Sequence, residues 1–470
     1  MEEHEFDVVV IGAGPVGENV ADRTVKGGLT TAIVESELVG GECSYWACMP
    51  SKALIRPIQA LDEARSVAGS KQAVTGPLDV GAVLGRRDSF TSHWNDDGQA
   101  QWLRDSGIAL FRGQGRLAGR RAVTVGDGVR LTARHAVVVS TGSDASMLPV
   151  PGLTEANPWT SRQATSAQSA PGRLVVMGGG VVGCEMTQAW RAMGSEVTLV
   201  ERSDHLLMGH EPFAGEMVAE AMRADGVTVL TGRQAASVSR EGGSGAVIVV
   251  LDDGTEVVGD ELLVAAGRHP RTGDIGLETV GLEPGSWLEV DDSMRVTAVA
   301  EGWLYATGDV NHRALLTHQG KYQARICGDV ISARAAGEPS VSDWSRFSAT
   351  ADHAAVPAVV FTRPEVGGVG LTSAVARDRG LNVRVVDIPI SVAGSSLFAD
   401  GYQGRAAIVV DEDRRVIVGA TFVGPGIAEL LHSATVAVVG EVPVDRLWHA
   451  VPSYPTISEV WLRLLEGYGL

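Results

Sequence analysis

The sequence predicts an α/β protein of roughly three domains, and three observations lead to this fold class. The chain has 470 residues, and domains usually span about 100–200 residues each. Its composition, with 44% hydrophobic residues, 20% charged residues and 58 glycines, is typical of a folded chain with many tight turns. A pattern of buried strand, glycine-rich turn, helix and second strand occurs twice.

The first copy of this pattern reads "DVVVIGAGPVGENVADRTVKGGLTTAIVE" and contains Gly12, Gly14 and Gly17. In a G-x-G-x-x-G turn the first glycine permits the tight turn, the second lets backbone approach a pyrophosphate, and the third lets helix and strand pack closely. The helix N-terminus then faces the anion. Glu35 ends the unit, 18 residues after Gly17, where a carboxylate can bind ribose hydroxyls.

The second copy reads "RLVVMGGGVVGCEMTQAWRAMGSEVTLVE" and repeats the same spacing. Its glycines are Gly178, Gly180 and Gly183, and Glu201 again follows the last of them by 18 residues. One such turn is weak evidence, but two copies with identical spacing predict two dinucleotide sites. Two dinucleotides in one chain indicate electron transfer between them.

Charge and hydropathy exclude several classes of partner. The net charge of −18 argues against binding to nucleic acid or an anionic membrane, because such binding needs clustered Lys and Arg. No apolar run reaches the roughly 18 residues that a membrane span needs, and the start "MEEHEFDVVVIGAG" does not resemble a signal peptide. We therefore expect a cytoplasmic protein with neither nucleic-acid nor membrane partners.

Four cysteines are present, and two of them, Cys43 and Cys48, lie close together in "GGECSYWACMPSK". A structural zinc site needs about four nitrogen or sulfur ligands, and no His lies near this pair, so no metal is expected. A close pair in a reducing compartment is more typical of catalysis than of a structural disulfide. Cys184 and Cys327 are expected to be buried as small hydrophobic side chains.

Five further motifs, in order along almost the whole chain, resemble one family. They are "CSYWACMPSK" (43–52), "VVVSTGS" (137–143), "VAAGRHPRT" (264–272), "LYATGDV" (304–310) and "FTRPEVGGVG" (361–370). Together with the first glycine-rich turn they resemble the class I pyridine nucleotide–disulfide oxidoreductases, which include lipoamide dehydrogenase, glutathione reductase and mercuric reductase.

This resemblance implies a fold and an assembly. It implies an α/β chain with two Rossmann-like dinucleotide-binding domains, for FAD and NAD(P), and an α+β C-terminal dimerisation domain that forms a homodimer. The implied boundaries are 1–149 and 273–340 for the two parts of the FAD domain, 150–272 for the NAD(P) domain and 341–470 for the dimerisation domain.

The resemblance also assigns cofactor-binding residues. It places the adenosine half of FAD at Gly12, Gly14, Gly17 and Glu35, the ribityl chain at Asp309, and the flavin beside Thr141 and Gly142. It places the nicotinamide dinucleotide at Gly178, Gly180, Gly183 and Glu201. Two further residues, Gly267 and Arg268, are also assigned to cofactor binding. Glu201 favours NADH over NADPH because a carboxylate accepts a free 2′-hydroxyl and repels a 2′-phosphate. The adjacent Arg202 weakens that preference.

The same resemblance makes the cysteine pair a redox disulfide. Cys48 would face the flavin and Cys43 would exchange with substrate. A helix N-terminus beside the pair would favour the thiolate, because its dipole stabilises negative charge. Lys52 is expected near the flavin, where its charge stabilises the reduced ring, and Glu185 is its expected partner.

The sequence departs from the family pattern near its C-terminus. "HAVPSYPTISEVW" (449–461) replaces the family's HxHPTxxE segment, so Tyr454 occupies the position of the catalytic histidine. A phenol with a pKa of about 10 is only about a thousandth ionised at pH 7, whereas imidazole titrates near 6.5. Tyr454 can still donate a hydrogen bond, and Glu459 is a candidate to orient it. His449 is expected to be structural.

These features predict an oxidoreductase that passes hydride from NAD(P)H to FAD and then reduces a Cys43–Cys48 disulfide. The missing histidine leaves the final acceptor open, as a disulfide, a quinone or another small electrophile. Alternatives are a dihydrolipoyl dehydrogenase of a 2-oxoacid complex, an NAD(P)H:quinone reductase that uses the flavin directly, and a flavin-based redox sensor without turnover.

Overall fold

A computed structural model describes residues 2–243, 245–337 and 341–470 of the chain. In chain order its strands are β1 (Glu2–Ile11), β2 (Thr31–Glu35), β3 (Ala109–Arg112), β4 (Gly115–Leu117), β5 (Ala122–Val125), β6 (Val129–Val139), β7 (Ser143–Ala145), β8 (Arg173–Met177), β9 (Glu196–Glu201), β10 (Thr228–Thr231), β11 (Ala235–Arg240), β12 (Val247–Leu251), β13 (Glu256–Gly259), β14 (Glu261–Val264), β15 (Arg268–Pro270), β16 (Leu304–Ala306), β17 (Pro357–Val360), β18 (Glu365–Gly370), β19 (Val383–Pro389), β20 (Arg405–Asp411) and β21 (Val416–Gly424).

The α-helices follow the same order. They are α1 (Pro15–Lys26), α2 (Gly41–Tyr45), α3 (Cys48–Arg65), α4 (Ser70–Ala73), α5 (Val80–Phe90), α6 (Asp97–Asp105), α7 (Ser161–Ser166), α8 (Val181–Ala192), α9 (Pro212–Ala224), α10 (Thr317–Ala336), α11 (Ser373–Asp378), α12 (Ala393–Phe398), α13 (Leu431–Val439), α14 (Val444–Leu447) and α15 (Val460–Tyr468).

The chain divides into two compact units. The first unit combines Met1–Pro50, Asp88–Ala145 and Gly267–Asp352, and the second combines Ser51–Arg87, Ser146–Ala266 and His353–Leu470. Each unit is therefore assembled from three separate stretches of sequence. The four domain boundaries expected from the family resemblance stay a prediction.

The first unit is built around a mixed sheet in the order β3-β2-β1-β6-β5-β4, with β16 also paired to β6. Strands β3, β2, β1, β6 and β16 run parallel, and β4 and β5 continue the sheet antiparallel. The end of β1 is a continuous apolar run, with Val8, Val9 and Val10 fully buried. Such runs are expected of central parallel strands that helices cover on both faces.

The second unit holds three sheets. One sheet is parallel and has the strand order β10-β9-β8-β14. The other two sheets are antiparallel, with the orders β11-β12-β13 and β17-β18-β21-β20-β19. The parallel sheet contains the second predicted glycine-rich unit, with β8 leading through the turn into α8 and then β9. Both predicted strand–turn–helix–strand units are therefore present.

Candidate active site

The first glycine-rich turn lies between β1 and α1, in the first unit. Gly12 has a φ of +100°, and a Cβ there would lie 2.4 Å from the carbonyl oxygen of Ser140 on the neighbouring chain segment. A Cβ at Gly17 would lie 2.0 Å from the carbonyl oxygen of Gly12. Helix and strand can therefore approach this closely only because both positions lack side chains. Gly14 precedes the first residue of α1, whose N-terminus faces the space that an anion would occupy.

Glu35, the last residue of β2, is held against this turn by two backbone hydrogen bonds. Its Oε2 accepts from the amide of Ala13 at 2.7 Å, and its Oε1 accepts from the amide of Glu37 at 2.8 Å. Burial raises the pKa of the Glu35 carboxyl, and these hydrogen bonds act in the opposite direction. The carboxylate is thus fixed at the position that the sequence assigns to a ribose.

A cavity in the first unit begins at this turn and reaches the cysteine region. Seven of the residues assigned to FAD or to cofactor contacts line it: Gly12, Gly14, Glu35, Thr141, Gly142, Arg268 and Asp309; Cys43 and Thr317 line it as well. Gly17 and Gly267 are not among the lining residues. The structure therefore brings together side chains separated by almost 300 positions in the sequence.

Polar groups in this cavity fit a bound FAD. The Oγ1 atom of Thr141 is buried and has no hydrogen-bond partner among the residues that the structure describes, and an uncompensated buried hydroxyl is costly. The Asp309 carboxylate accepts from Ser143 Oγ at 2.5 Å and lies 3.7 Å from Arg268 Nε. An unpaired hydroxyl, a fixed carboxylate and a glycine turn at a helix N-terminus supply donors and acceptors for a dinucleotide's hydroxyl and phosphate groups.

Cys43, the first residue of the cysteine pair, lines the same cavity as Glu35. Cys43 is carried by α2, and Cys48 is the first residue of α3; both are free thiols here. The Cys48 Sγ lies 3.2 Å from Thr317 Oγ1, at the start of α10. A hydrogen bond with Cys48 and burial raise the pKa of Cys43, while Thr317 and Lys321 act to lower it. The two thiols are therefore close enough to interact directly.

The second glycine-rich turn repeats this construction in the second unit. Gly178 has a φ of +111°, and a Cβ at Gly183 would lie 1.8 Å from its carbonyl oxygen. Glu201 ends β9, where its Oε2 accepts from the amide of Gly179 at 2.5 Å and its Oε1 accepts from the amide of Ser203 at 2.7 Å. Gly180 precedes α8, and a Cβ there would meet nothing within 4 Å. The surface at Gly180 is therefore open for a ligand.

Lys52 and Glu185 form an ion pair within the second unit. Lys52 Nζ lies 2.7 Å from Glu185 Oε2 and 5.0 Å from the centroid of the Phe361 ring. The other carboxylate oxygen accepts from the Phe361 amide at 3.0 Å. Glu185 is 3% exposed, whereas Lys52 is 37% exposed. The two residues that the resemblance pairs are thus in contact, and their role toward the flavin stays a prediction.

Tyr454 and Glu459 do not contact each other through a hydrogen bond in the described chain. Tyr454 is 75% exposed, and Val451 in the same segment is 85% exposed. Glu459 accepts from Arg463 at 3.4 Å, and its Oε2 is buried without a hydrogen-bond partner among the described residues. The predicted orienting role of Glu459 therefore has no support within a single copy of the chain. His449 is also exposed, just beyond the end of α14.

Two features outside the predicted set join the site. Thr317 and Lys321, one helical turn apart on α10, both act on the pKa of Cys43. No motif marks them, because they approach the cysteines only through the packing of distant elements. Cys184 and Cys327 are fully buried, as expected.

Within residues 2–243, 245–337 and 341–470, no helix is long and apolar enough to cross a bilayer. The same ranges contain no group of three or more His, Cys, Asp or Glu side chains that could hold a metal ion.

Comparisons with known proteins show which family the chain belongs to. Residues 6–325 match the family described as pyridine nucleotide-disulphide oxidoreductase, and residues 356–464 match the dimerisation domain of the same family. The chain is 32% identical to the dihydrolipoyl dehydrogenase of Thermus scotoductus, covering 98% of this chain and 97% of that protein. It is 27% identical to a mercuric reductase of Staphylococcus aureus, covering 97% of this chain and 81% of that protein.

A solved structure shows the same fold. The Cu(II) complex of the HOCl-induced flavoprotein disulfide reductase RclA from Escherichia coli superimposes with a TM-score of 0.83, at 22% identity, over 98% of this chain and 99% of that one. The predicted fold class, with an FAD-binding Rossmann-type domain and a C-terminal dimerisation domain, is confirmed. The chain belongs to the pyridine nucleotide-disulphide oxidoreductases, which are FAD-dependent enzymes that use pyridine nucleotides.

Proposed function

We propose that this enzyme is an NADH-dependent disulfide reductase, in which Cys43 and Cys48 pass electrons from FAD to a disulfide or another small electrophile. One observation carries the proposal. Cys43 lines the cavity that begins at the first glycine-rich turn, and it is hydrogen-bonded to Cys48. A dithiol with one sulfur-bearing residue in the wall of a dinucleotide cavity can exchange electrons with the bound cofactor.

FAD, when bound, supplies two-electron transfer between the nicotinamide and the sulfur atoms. The chain's own part is to hold and polarise the groups that react. Gly12, Gly14 and Glu35 would hold the adenosine half, and Asp309 the ribityl chain. Thr141, whose hydroxyl has no hydrogen-bond partner among the described residues, would donate to or accept from the flavin portion. Arg268 holds Ser143 at 2.6 Å and so keeps Asp309 in place.

The sulfur chemistry requires both cysteines. Two electrons and one proton convert the Cys43–Cys48 disulfide into one thiol and one thiolate. The Cys43 thiolate attacks a substrate disulfide, forms a mixed disulfide and releases one substrate thiolate. The Cys48 thiol gives up its proton, and the resulting thiolate attacks the Cys43 sulfur, which restores the internal disulfide and releases the second substrate thiolate. Each released thiolate takes up one proton.

Proton transfer to the leaving thiolate is where this chain differs from the family pattern. Tyr454 occupies the position of the family's histidine, and its phenol is a much weaker base at neutral pH. A positioned acid–base group typically contributes about 10²–10⁴-fold. We therefore expect substrates whose leaving thiol is acidic, or electrophiles such as quinones that need no protonated imidazole, to be preferred over lipoamide and glutathione disulfide.

Glu201 supports the choice of NADH. Its carboxylate is fixed by the amides of Gly179 and Ser203 at the end of β9. A carboxylate held rigidly in this position accepts a ribose 2′-hydroxyl and repels a 2′-phosphate. Arg202 follows directly and offsets part of that repulsion.

We also propose that two copies of the chain associate through the dimerisation domain. The matched dimerisation family at residues 356–464 supports this assembly. The exposed segment around Val451 and Tyr454 is apolar surface that a second copy can cover. Sedimentation velocity at several protein concentrations tests the assembly, and a single species with the mass of one chain would contradict it.

Turnover measurements test the reductase proposal. NADH oxidation would be followed with lipoamide, glutathione disulfide and a simple quinone, in wild type, Cys43→Ser and Cys48→Ser. Cys327→Ala, which removes a buried thiol outside the cavity, is the matched control. We expect disulfide reduction to be lost in both cysteine-to-serine variants and kept in the control. Equal disulfide turnover in wild type and Cys43→Ser would refute the role of the pair.

Dihydrolipoyl dehydrogenase activity is the second candidate, because the 32% identical relative from Thermus scotoductus carries that name. This activity runs the exchange in reverse, so a base must take a proton from an incoming dithiol. The measurement is NAD⁺ reduction by dihydrolipoamide in wild type and Tyr454→His. A rate in wild type that the new histidine does not raise would favour this candidate over the reductase.

A further inference from the structure

A buried polar network lies beside the segment that carries Asp309. Its centre is Gln323 on α10, which is fully buried. The Oε1 atom of Gln323 accepts from the backbone amide of Gly308 at 2.9 Å and from Nδ2 of Asn311 at 2.8 Å. These two donors flank Asp309, which lines the cavity assigned to FAD together with Gly308. Gln323 therefore holds the chain on both sides of Asp309.

The amide nitrogen of Gln323 binds a buried carboxylate. Its Nε2 donates to Oδ2 of Asp352 at 2.9 Å, and Nε2 of Gln319 donates to Oδ1 of Asp352 at 2.6 Å. The Asp352 side chain is 1% exposed. Both of its oxygens accept N–H donors, as an ionised carboxylate does. A donor toward Asp352 and an acceptor toward Gly308 leave the Gln323 amide a single orientation.

Arg313 supplies a cation that offsets this buried charge. Its guanidinium lies 3.6 Å from Oδ2 of Asp352 and 2.8 Å from Oδ1 of Asp292. Burial raises the pKa of Asp352, and the hydrogen bonds to its oxygens act in the opposite direction. The backbone amide of Arg313 donates to Oδ1 of Asn311 at 3.1 Å. The polar contacts therefore form a closed ring that runs through Asn311, Gln323, Asp352 and Arg313.

Helix α10 packs closely against the same part of the cavity wall. A Cβ at Gly320 would lie 3.2 Å from Cα of Gly308 and 2.6 Å from Cγ2 of Val16. Gly308 has a φ of +79°, a conformation that glycine adopts at little cost. Thr317, three residues before Gly320 on α10, has its Oγ1 atom 3.2 Å from Cys48 Sγ. The position of α10 is thus tied to both the cavity wall and the cysteine pair.

We propose that Gln323 and Asp352 are positioning residues for FAD, because their hydrogen bond fixes the segment that carries Asp309. Neither residue is among those that line the cavity in the described chain, so both act through Gly308 and Asn311 rather than by touching the cofactor. A change in one member of a buried network leaves its partners unsatisfied, which costs more than the lost hydrogen bond alone. This inference rests on the proposed placement of FAD along Gly308 and Asp309.

The rate at which the holoenzyme releases FAD tests this role without turnover. Each variant would be incubated well below its Tm, and its flavin-to-protein absorbance ratio would be followed by timed gel filtration. Gln323→Glu keeps the acceptor for Gly308 but places two carboxylates side by side. Asp352→Asn places an NH₂ group against one of the two glutamine donors. We expect each single variant to release FAD about tenfold faster than wild type.

The double variant Gln323→Glu/Asp352→Asn exchanges the polarity of the pair and should restore the network. The carboxylate at position 323 can accept from Gly308, from Asn311 and from the new amide at position 352. The oxygen of that amide can still accept from Gln319. We expect the double variant to release FAD within about threefold of the wild-type rate, because the two changes compensate each other.

Tyr305→Phe is the matched control at the other end of the same helix. Arg334, in the last turn of α10, donates to Tyr305 Oη at 2.6 Å, so this variant removes one hydrogen bond that holds α10. It should lower the Tm and leave the rate of FAD release within about twofold of wild type. If the network had a merely structural role, FAD release in Tyr305→Phe and Gln323→Glu would change in proportion to the fall in their Tm values.

The release rates can overturn the proposal in two ways. Rates equal to wild type in both single variants would do so, as would a double variant that loses FAD as fast as the single variants. If Gln323→Glu purifies without flavin, retention of flavin by the double variant supports the proposal and its loss contradicts it. Failure of the proposed function is a separate outcome. In that case Cys43→Ser would leave disulfide turnover intact, whereas the pattern of FAD release would persist.

Discussion

Removal of the Lys52 ammonium should destabilise the enzyme through the carboxylate that it leaves behind. In Lys52→Met the aliphatic stem is kept, but Glu185, 3% exposed, loses its cation. Within the described part of the chain it then keeps only the hydrogen bond from the Phe361 amide. Breaking a fully buried ion pair costs about 3–5 kcal/mol, and exposed pairs contribute about 0–1 kcal/mol. Because Lys52 is 37% exposed, solvent screens part of the loss, and we expect a cost of about 2 kcal/mol.

Thermal unfolding measures this cost. A loss of about 2 kcal/mol corresponds to a fall in Tm of about 4–8 °C, at roughly 2–4 °C per kcal/mol for units of this size. Lys26→Met removes a lysine from an exposed pair with Asp22 and should shift the Tm by no more than about 1 °C. The double variant Lys52→Met/Glu185→Gln should recover most of the loss, since no unpaired charge remains buried. Equal Tm values for Lys52→Met and Lys26→Met would refute the reasoning.

Three further perturbations have defined outcomes. Gly17→Ala places a Cβ 2.0 Å from a carbonyl oxygen and should reduce the flavin retained on purification at least tenfold by absorbance, whereas Gly98→Ala, with nothing within 4 Å, should retain it. Glu201→Gln should lower the ratio of kcat/KM for NADH over NADPH about tenfold; an unchanged ratio would remove Glu201 from cofactor choice. Arg134 lowers the pKa of Asp7 through a 2.7 Å hydrogen bond, so Arg134→Met should cause a small loss of urea-unfolding free energy at any pH above about 5, because Arg134 is exposed and solvent screens the pair. Because the pKa of Asp7 is lowered in the folded state, the stability that Arg134 contributes is lost as the pH falls below about 4. If the difference in urea-unfolding free energy between wild type and Arg134→Met grows on acidification, the role of Arg134 toward Asp7 is contradicted.

The local parts of the fold were predictable from sequence because they depend on short-range geometry. Gly12 and Gly17 occupy positions where a Cβ would collide with backbone, so the spacing of these glycines by itself indicates the strand–turn–helix conformation. Glu35 and Glu201 end the second strands of their units, which fixes their distance from the turn. Such features are encoded within about 30 consecutive residues.

The long-range parts of the site were not predictable in this way. Lys52 and Glu185 are 133 residues apart, and only the family resemblance pairs them. Thr317 carries no motif, because its contact with Cys48 joins residues 269 positions apart in sequence. Tyr454 is identified by comparing residues 449–461 with the family pattern. Its side chain is exposed on its own chain, so the residues next to it in sequence do not indicate which groups it contacts.

The central claim is that electrons from NADH reach the Cys43–Cys48 pair, and counting thiols during anaerobic reduction tests it most directly. The oxidised enzyme would be titrated with NADH, quenched in denaturant and assayed for free thiols. The chain has four cysteines, so we predict that the count rises from two, Cys184 and Cys327, to four as the pair is reduced. A count that stays at two while NADH bleaches the flavin would contradict the claim, because the electrons would then stop at the cofactor.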